Sequence, residues 1–185
     1  MIVFISGGVR SGKSAIAEEY VRKLASCENV VHYIATAQAV DDEMKMRIAY
    51  HQEQRARQSL RWMTWERSVG LHELATRFGS NDVVLLDCLT NLLANELFSD
   101  EGWKQEDTCF QKARGIFEAV VQLAAHSKAL VIVSNELFSG SVPEDMGTYH
   151  FMKTLGWLHQ QIVTRASIAI LAQHGIPLVK KGEAV

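Results

Sequence analysis

The chain opens on an apolar run, Ile2-Val3-Phe4-Ile5-Ser6, that passes directly into Gly7-Gly8-Val9-Arg10-Ser11-Gly12-Lys13-Ser14. This is a strand followed by G-x-x-x-x-G-K-S, the phosphate-binding P-loop. The pattern constrains the fold because it needs a strand in front, a helix behind and a tightly curled backbone between them. Glycines permit the curl, so successive N–H groups point at one centre where an anion fits. The helix that follows offers the positive end of its dipole to the same centre. Its spacing is right: Ala15, Ala17, Tyr20, Val21 and Leu24 are apolar among Glu18, Glu19, Arg22 and Lys23. The motif predicts a bound nucleoside triphosphate. Gly7, Gly8, Val9, Arg10, Ser11 and Gly12 would wrap the phosphates, Lys13 would reach the β- and γ-phosphates, and Ser14 would ligate Mg²⁺.

Further apolar runs follow at Val30–Ala35, Val83–Asp87, Ala129–Val133 and Ile168–Leu171. Near-continuous apolarity marks strands covered on both faces, as in a parallel sheet. Helical spacing is found at about 13–25, 41–57, 89–98, 105–126 and 145–164, between those strands. The alternation predicts an α/β fold of the P-loop NTPase type, a mostly parallel sheet flanked by helices, in a single domain over 1–185. Segment 60–80 is least clear, with Trp62–Glu66 readable as a short strand and Leu71–Phe78 as a short helix. Gly175–Lys180 reads as a turn and a final short strand.

The net charge of −2 carries no basic footprint for nucleic acid. No apolar run approaches the length of a membrane span. Cys27, Cys88 and Cys109 are widely spaced and form no metal pattern, as expected of incidental thiols in a reducing compartment. The start at Met1 leads straight into a strand, so cytoplasmic placement is the expectation.

Two further features carry chemistry. The buried run Val83–Leu86 ends in Asp87, and a carboxylate at the carboxyl end of a strand in such a sheet holds Mg²⁺ directly or through water. The same Asp also suits a helix cap for Leu89–Phe98. Asn91 and Asn95, one turn apart on that helix, face either the crevice or solvent. The second feature is the stretch Asp41–Arg55, whose acidic start suits a helix N-terminus. Met44, Ile48, His51 and Arg55 fall on one stripe, and Arg47 and Arg55 flank His51 at i−4 and i+4. Two guanidiniums disfavour protonation of the imidazole and hold polyphosphate. A neutral imidazole beside anchored phosphates is a competent phosphorus nucleophile. The same residues also fit a surface histidine among paired charges.

Together these pieces resemble the bifunctional adenosylcobinamide kinase/adenosylcobinamide-phosphate guanylyltransferase family of cobalamin biosynthesis. Gly7–Ser14 is similar to its G-G-x-R-S-G-K-S, and Tyr33-Ile34-Ala35-Thr36-Ala37 to its Y-I-A-T segment. Asp42-Glu43-Met44, Arg47-Ile48 and His51 resemble its D-E-M-x-x-R-I-x-x-H helix, continued by Arg55, Trp62, Thr64 and Glu66. Asp87-Cys88-Leu89-Thr90 with Asn95, Val133-Ser134-Asn135-Glu136, Gly140, Val142-Pro143, Gly156 and Gly175-Ile176-Pro177 with Lys180 match later blocks.

The resemblance implies that ATP or GTP phosphorylates the aminopropanol hydroxyl of adenosylcobinamide. It then implies that GTP guanylylates His51 and that GMP passes to adenosylcobinamide phosphate, giving adenosylcobinamide-GDP. It also implies nucleotide contacts at Ala35, Thr36, Ala37, Arg47, Gln52, Arg55, Glu66 and Asp87, and a homotrimer. The chain departs from the family pattern at Ala56 (usually Pro), Phe138 (commonly Gly), Tyr149 and Met152 (commonly Arg) and His159 (commonly Asn). Two other readings fit the P-loop. One is a monofunctional small-molecule kinase with a structural His51. The other is a GTP-binding module without transferase chemistry, against which stands the lack of a recognisable N-K-x-D segment.

Overall fold

A computed structural model describes residues 1–26, 30–38, 46 and 60–183. Seven strands form one sheet, in the order β3-β2-β4-β5-β1-β6-β7. They are β1 (Ile2–Gly7), β2 (Val30–Ala35), β3 (Arg61–Glu66), β4 (Val83–Asp87), β5 (Ala129–Asn135), β6 (Ile168–Gln173) and β7 (Ile176–Lys181). All pairings are parallel except β6 with β7, which form an antiparallel hairpin at one edge. The helices among the described residues are α1 (Lys13–Leu24), α2 (Leu89–Leu97), α3 (Glu106–His126) and α4 (Met146–Arg165).

The apolar runs have the cause inferred from sequence. In β1, Ile2 and Phe4 face α2–α4, whereas Val3 and Ile5 face α1. Two cores therefore sandwich the sheet. One joins Phe4, Leu86 and Ile132 to Leu92, Leu123 and Leu158 from the three later helices. The other joins Ile5, Leu85 and Val133 to Ile16, Ala17 and Tyr20 of α1. Each fully buried aliphatic side chain contributes about 1.5–3 kcal/mol, which ties the central strands down on both sides. None of the described helices is long and apolar enough to cross a membrane.

The uncertain segment resolves into the edge strand β3 and a single 3₁₀ turn at Leu71–Leu74, shorter than the helix read over 71–78. Leu71 and Leu74 are buried under it, and Gly70 precedes it in the left-handed region (φ 69°). A second 3₁₀ turn, Glu101–Lys104, is held by Asp100, which accepts from the Gly102 N–H at 2.7 Å. Of the helix read over 41–57, only Met46 is among the described residues, where it is helical and exposed.

Candidate active site

The carboxyl ends of the parallel strands form the floor of the candidate site. Register sets the spacing: Glu66 of β3, Ala35 of β2, Asp87 of β4 and Val133 of β5 are successive partners in one row. On the next strand Val133 pairs with Ile5, so Gly7, paired with Asn135, stands two residues beyond that row. With strands about 4.8 Å apart, Asp87 is about 10 Å from the β1 axis and Glu66 about 19 Å.

Gly7 leads into the loop and cannot carry a side chain. A Cβ there would lie 2.5 Å from Ser11 Oγ and 2.6 Å from the Ala172 carbonyl oxygen. Ser11 N–H donates to the Gly8 carbonyl at 3.2 Å, closing the turn. Arg10 (φ 60°) and Gly12 (φ 90°) then take left-handed conformations. Gly12 is the N-cap of α1, with no side-chain cap and no acidic residue in the first turn. No carboxylate of that first turn neutralises the positive end of the helix. Lys13 is 7% exposed, and its Nζ donates to the Gly8 carbonyl at 3.1 Å, folding the ammonium onto the loop. The Ser11 hydroxyl is buried without a hydrogen-bond partner among the described residues.

One support of this loop was not legible in the sequence. The β6–β7 turn, His174-Gly175 (φ 53° and 79°), leans on it. Gly175 N–H donates to the Ser11 carbonyl at 2.9 Å, and a Cβ on Gly12 would lie 3.0 Å from Gly175 Cα. The sequence marks the turn through its glycine and the following Pro177, but nothing in it says that the turn meets residues 11 and 12. On the other side, Glu136 N–H donates to the Gly7 carbonyl at 2.9 Å.

Asp87 does not cap α2. The N-cap is Cys88, with no side-chain cap, and Asp87 Oδ2 instead accepts from the Tyr33 hydroxyl at 3.2 Å. Thr36 fastens the ends of β2 and β4 together. Its hydroxyl donates to the Cys88 carbonyl at 2.7 Å and accepts from Cys88 N–H at 2.8 Å, while its own N–H donates to the Asp87 carbonyl at 3.1 Å. Asn95 is a brace rather than a surface amide: Nδ2 donates to the carbonyls of Thr36 (2.9 Å) and Ser68 (3.0 Å). Burial first, then the neighbouring Asp87 charge, pushes the Cys88 thiol up to about 11. It stays protonated at neutral pH and is inert as a nucleophile.

Behind the loop runs a buried polar chain. Asn135 N–H donates to Thr90 Oγ1 at 2.7 Å, Thr90 Oγ1 meets Ser134 Oγ at 2.9 Å, and Ser134 Oγ meets His159 Nε2 at 2.7 Å. Each of the two hydroxyls can donate or accept, so the direction of the last two bonds follows the tautomer of His159. Burial holds His159 down at about 4, against a smaller raising influence from Glu136, so the ring is neutral near pH 7.

Of the residues singled out from sequence, the structure assembles Gly7–Ser14, Ala35, Thr36, Ala37, Glu66 and Asp87 at one end of the sheet. Arg47, His51, Gln52 and Arg55 lie outside the described residues. The Ser14 hydroxyl and Asp87 carboxylate are hard oxygen donors, which Mg²⁺ takes one or two at a time beside substrate phosphates. Among the described residues no three His, Cys, Asp or Glu side chains converge into a metal cage.

Comparison with known proteins places this geometry. Residues 3–180 match the family model described as cobinamide kinase / cobinamide phosphate guanyltransferase. The bifunctional adenosylcobalamin biosynthesis protein CobU of Escherichia coli (strain K12) is 37% identical over 183 residues, covering 95% of this chain and 97% of its own. The bifunctional protein CobP of Pseudomonas aeruginosa is 38% identical over 181 residues, covering 97% and 96%. A solved protein of Pyrococcus horikoshii OT3 covers 99% of this chain and 87% of its own at 8% identity and TM-score 0.52, a likeness of fold alone. Motif, topology and full-length similarity agree, and the chain belongs to the cobinamide kinase / cobinamide phosphate guanyltransferase family.

Proposed function

We propose that this chain phosphorylates adenosylcobinamide with ATP or GTP and then builds adenosylcobinamide-GDP through a guanylyl-histidine at His51. The observation that carries the reading is an intact G-G-V-R-S-G-K-S between β1 and α1 in a chain matching the family over residues 3–180. In the first step the acceptor hydroxyl oxygen attacks the γ-phosphorus, the bond to the β-phosphate oxygen breaks, and the nucleoside diphosphate leaves. The hydroxyl proton is released to solvent. In the second, an imidazole nitrogen of His51 attacks the α-phosphorus of GTP, an N–P bond forms, and pyrophosphate leaves. In the third, a phosphate oxygen of adenosylcobinamide phosphate attacks the same phosphorus, the N–P bond breaks, and the imidazole is regenerated.

Lys13 and the N–H groups of the loop, apart from that of Ser11, serve by holding phosphate charge as it shifts between bridging and terminal oxygens. Mg²⁺, held by Ser14 and Asp87, would supply further charge neutralisation on those oxygens. The chain leaves β2 at Ala35, in the row that contains Asp87, and re-enters the sheet at Arg61. His51, Gln52 and Arg55 lie in sequence between those two points.

The test is the mass of the intact protein after incubation with GTP and Mg²⁺. A covalent GMP is expected on the parent, none on His51→Ala, and adenosylcobinamide phosphorylation is expected to survive in His51→Ala. A parent that carries no adduct while phosphorylating adenosylcobinamide is a monofunctional kinase, and the transferase half is then refuted. Assembly as a homotrimer and placement in the cytoplasm belong to the same reading. Sedimentation of the purified protein tests the trimer.

A further inference from the structure

An open groove of about 510 Å³ lies between the loop after β5 and the outer flank of α3 and α4. Its volume is that of a small-molecule site. Its walls are aromatic: Phe110, Phe138, Tyr149 and Trp157, with Met152 between them. Phe110 and Trp157 meet edge to face at 5.8 Å, so that wall is preorganised. Phe138 stands 41% exposed, with its ring against His159 at 5.5 Å.

The groove is joined to the P-loop by a short, fixed path. Glu136 N–H donates to the Gly7 carbonyl at 2.9 Å, and Glu136 Oε1 accepts from Phe138 N–H at 2.7 Å. Phe138 is therefore two residues from a direct contact with the loop.

The lining decides the ligand class. A nucleotide or free phosphate calls for convergent cations, and among the described residues the lining supplies one, Lys153, whose ammonium sits 2.8 Å from both carboxylate oxygens of Glu106. At Tyr149 and Met152, where the family resemblance leads one to expect arginines, the groove has a phenol and a thioether. Around the aromatic walls stand neutral groups that donate and accept hydrogen bonds, Gln160 and Ser141. Flat apolar walls with a neutral amide rim match a large, amide-fringed macrocycle.

We propose that this groove holds the corrin ring of the acceptor, so that its hydroxyl-bearing arm extends along residues 135–138 to the P-loop. The proposal rests on the function proposed above. It assigns Phe138, Tyr149, Met152 and Trp157 to ring contact. Gly156 is assigned the floor, where a Cβ would rest 3.5 Å from Phe138.

Gly156→Leu fills the groove from a helical position where replacing glycine favours the helix. Tyr149→Ala removes one wall from an exposed site. In steady-state phosphorylation of adenosylcobinamide, both variants are expected to raise the corrinoid KM at least tenfold. The KM for ATP should stay within twofold of the parent. Binding is followed independently by quenching of tryptophan fluorescence with dicyanocobinamide, whose dissociation constant should rise in step. Corrinoid KM and dissociation constant within twofold of the parent in both variants overturn the proposal. A lowered sedimentation mass with an unchanged corrinoid KM also overturns it and assigns the groove to contact between copies of the chain. A parent that does not phosphorylate adenosylcobinamide refutes the proposed function itself, and the groove assignment falls with it.

Discussion

Acidification offers a quantitative test of the buried Thr90–Ser134–His159 chain. His159 is 9% exposed, and burial holds it at about 4 against an ordinary 6.5. That gap corresponds to about 3 kcal/mol of preference for the neutral ring in the folded state. Between the two values the unfolded chain binds a proton that the folded chain does not, so stability falls as pH falls. The loss begins near 6.5, reaches about 2 kcal/mol near pH 5, and is complete below about 4. His32 shifts the same way, lowered by burial and partly restored by Asp82. Its Nδ1 accepts from Trp65 Nε1 at 3.1 Å, which fixes it as a neutral ring too. The comparison is therefore made against His159→Asn, which keeps His32 and every carboxylate. Urea unfolding at equal protein concentration, near pH 7.5 and near pH 5, should show the parent losing about 2 kcal/mol more than the variant. Equal losses in the two proteins would refute the argument that this imidazole is buried neutral.

Lys13→Ala should lower phosphoryl transfer by about 10²–10³-fold at saturating ATP, since it removes a charge aimed at the phosphates; a kinase assay losing less than tenfold contradicts that role. Gly12→Ala should weaken ATP binding measured by calorimetry, because φ 90° costs a side chain about 1–2 kcal/mol and the new methyl would press on Gly175 Cα at 3.0 Å. Unchanged affinity would show that the loop tolerates another backbone path. Thr36→Val preserves shape but strands the Cys88 N–H and carbonyl, so urea unfolding should report a loss of about 2 kcal/mol.

Much of the central sheet could be read directly. Buried parallel strands need apolar residues on both faces, so Ile2–Ile5, Val83–Leu86 and Ala129–Val133 announce themselves. The edges are quieter. In β3 the side chains of Arg61, Met63, Thr64 and Glu66 are all exposed, and in β7 the whole strand is. Such strands have no period that separates them from loops. The P-loop was legible because its residues act locally, through their own backbone. The braces around it were not: Gly175 to Ser11, Asn95 to Thr36 and Ser134 to His159 join residues far apart in the chain. Asp87 lay between these cases. Its place after an apolar strand was clear, but only the Tyr33 hydroxyl and the uncapped Cys88 separate a site carboxylate from a helix cap.

In the function proposed above, one phosphate cradle serves two displacements at different phosphorus atoms. When the γ-phosphorus is attacked, the group that must stay fixed is the β-phosphate of the departing nucleotide. When the α-phosphorus is attacked, it is the departing pyrophosphate. A loop that grips the β- and γ-phosphates holds the leaving group in both cases and leaves the nucleophile free to differ. The strand-end row from β1 out to Glu66 spans about 19 Å, enough for a nucleotide to lie across it with its tail in the loop. Phe138, two residues beyond the Glu136 contact with Gly7, carries the aromatic groove up to the P-loop. Removing the loop lysine should therefore slow both reactions by about 10²–10³-fold, whereas removing the histidine should abolish only the one that breaks the bond at the α-phosphorus.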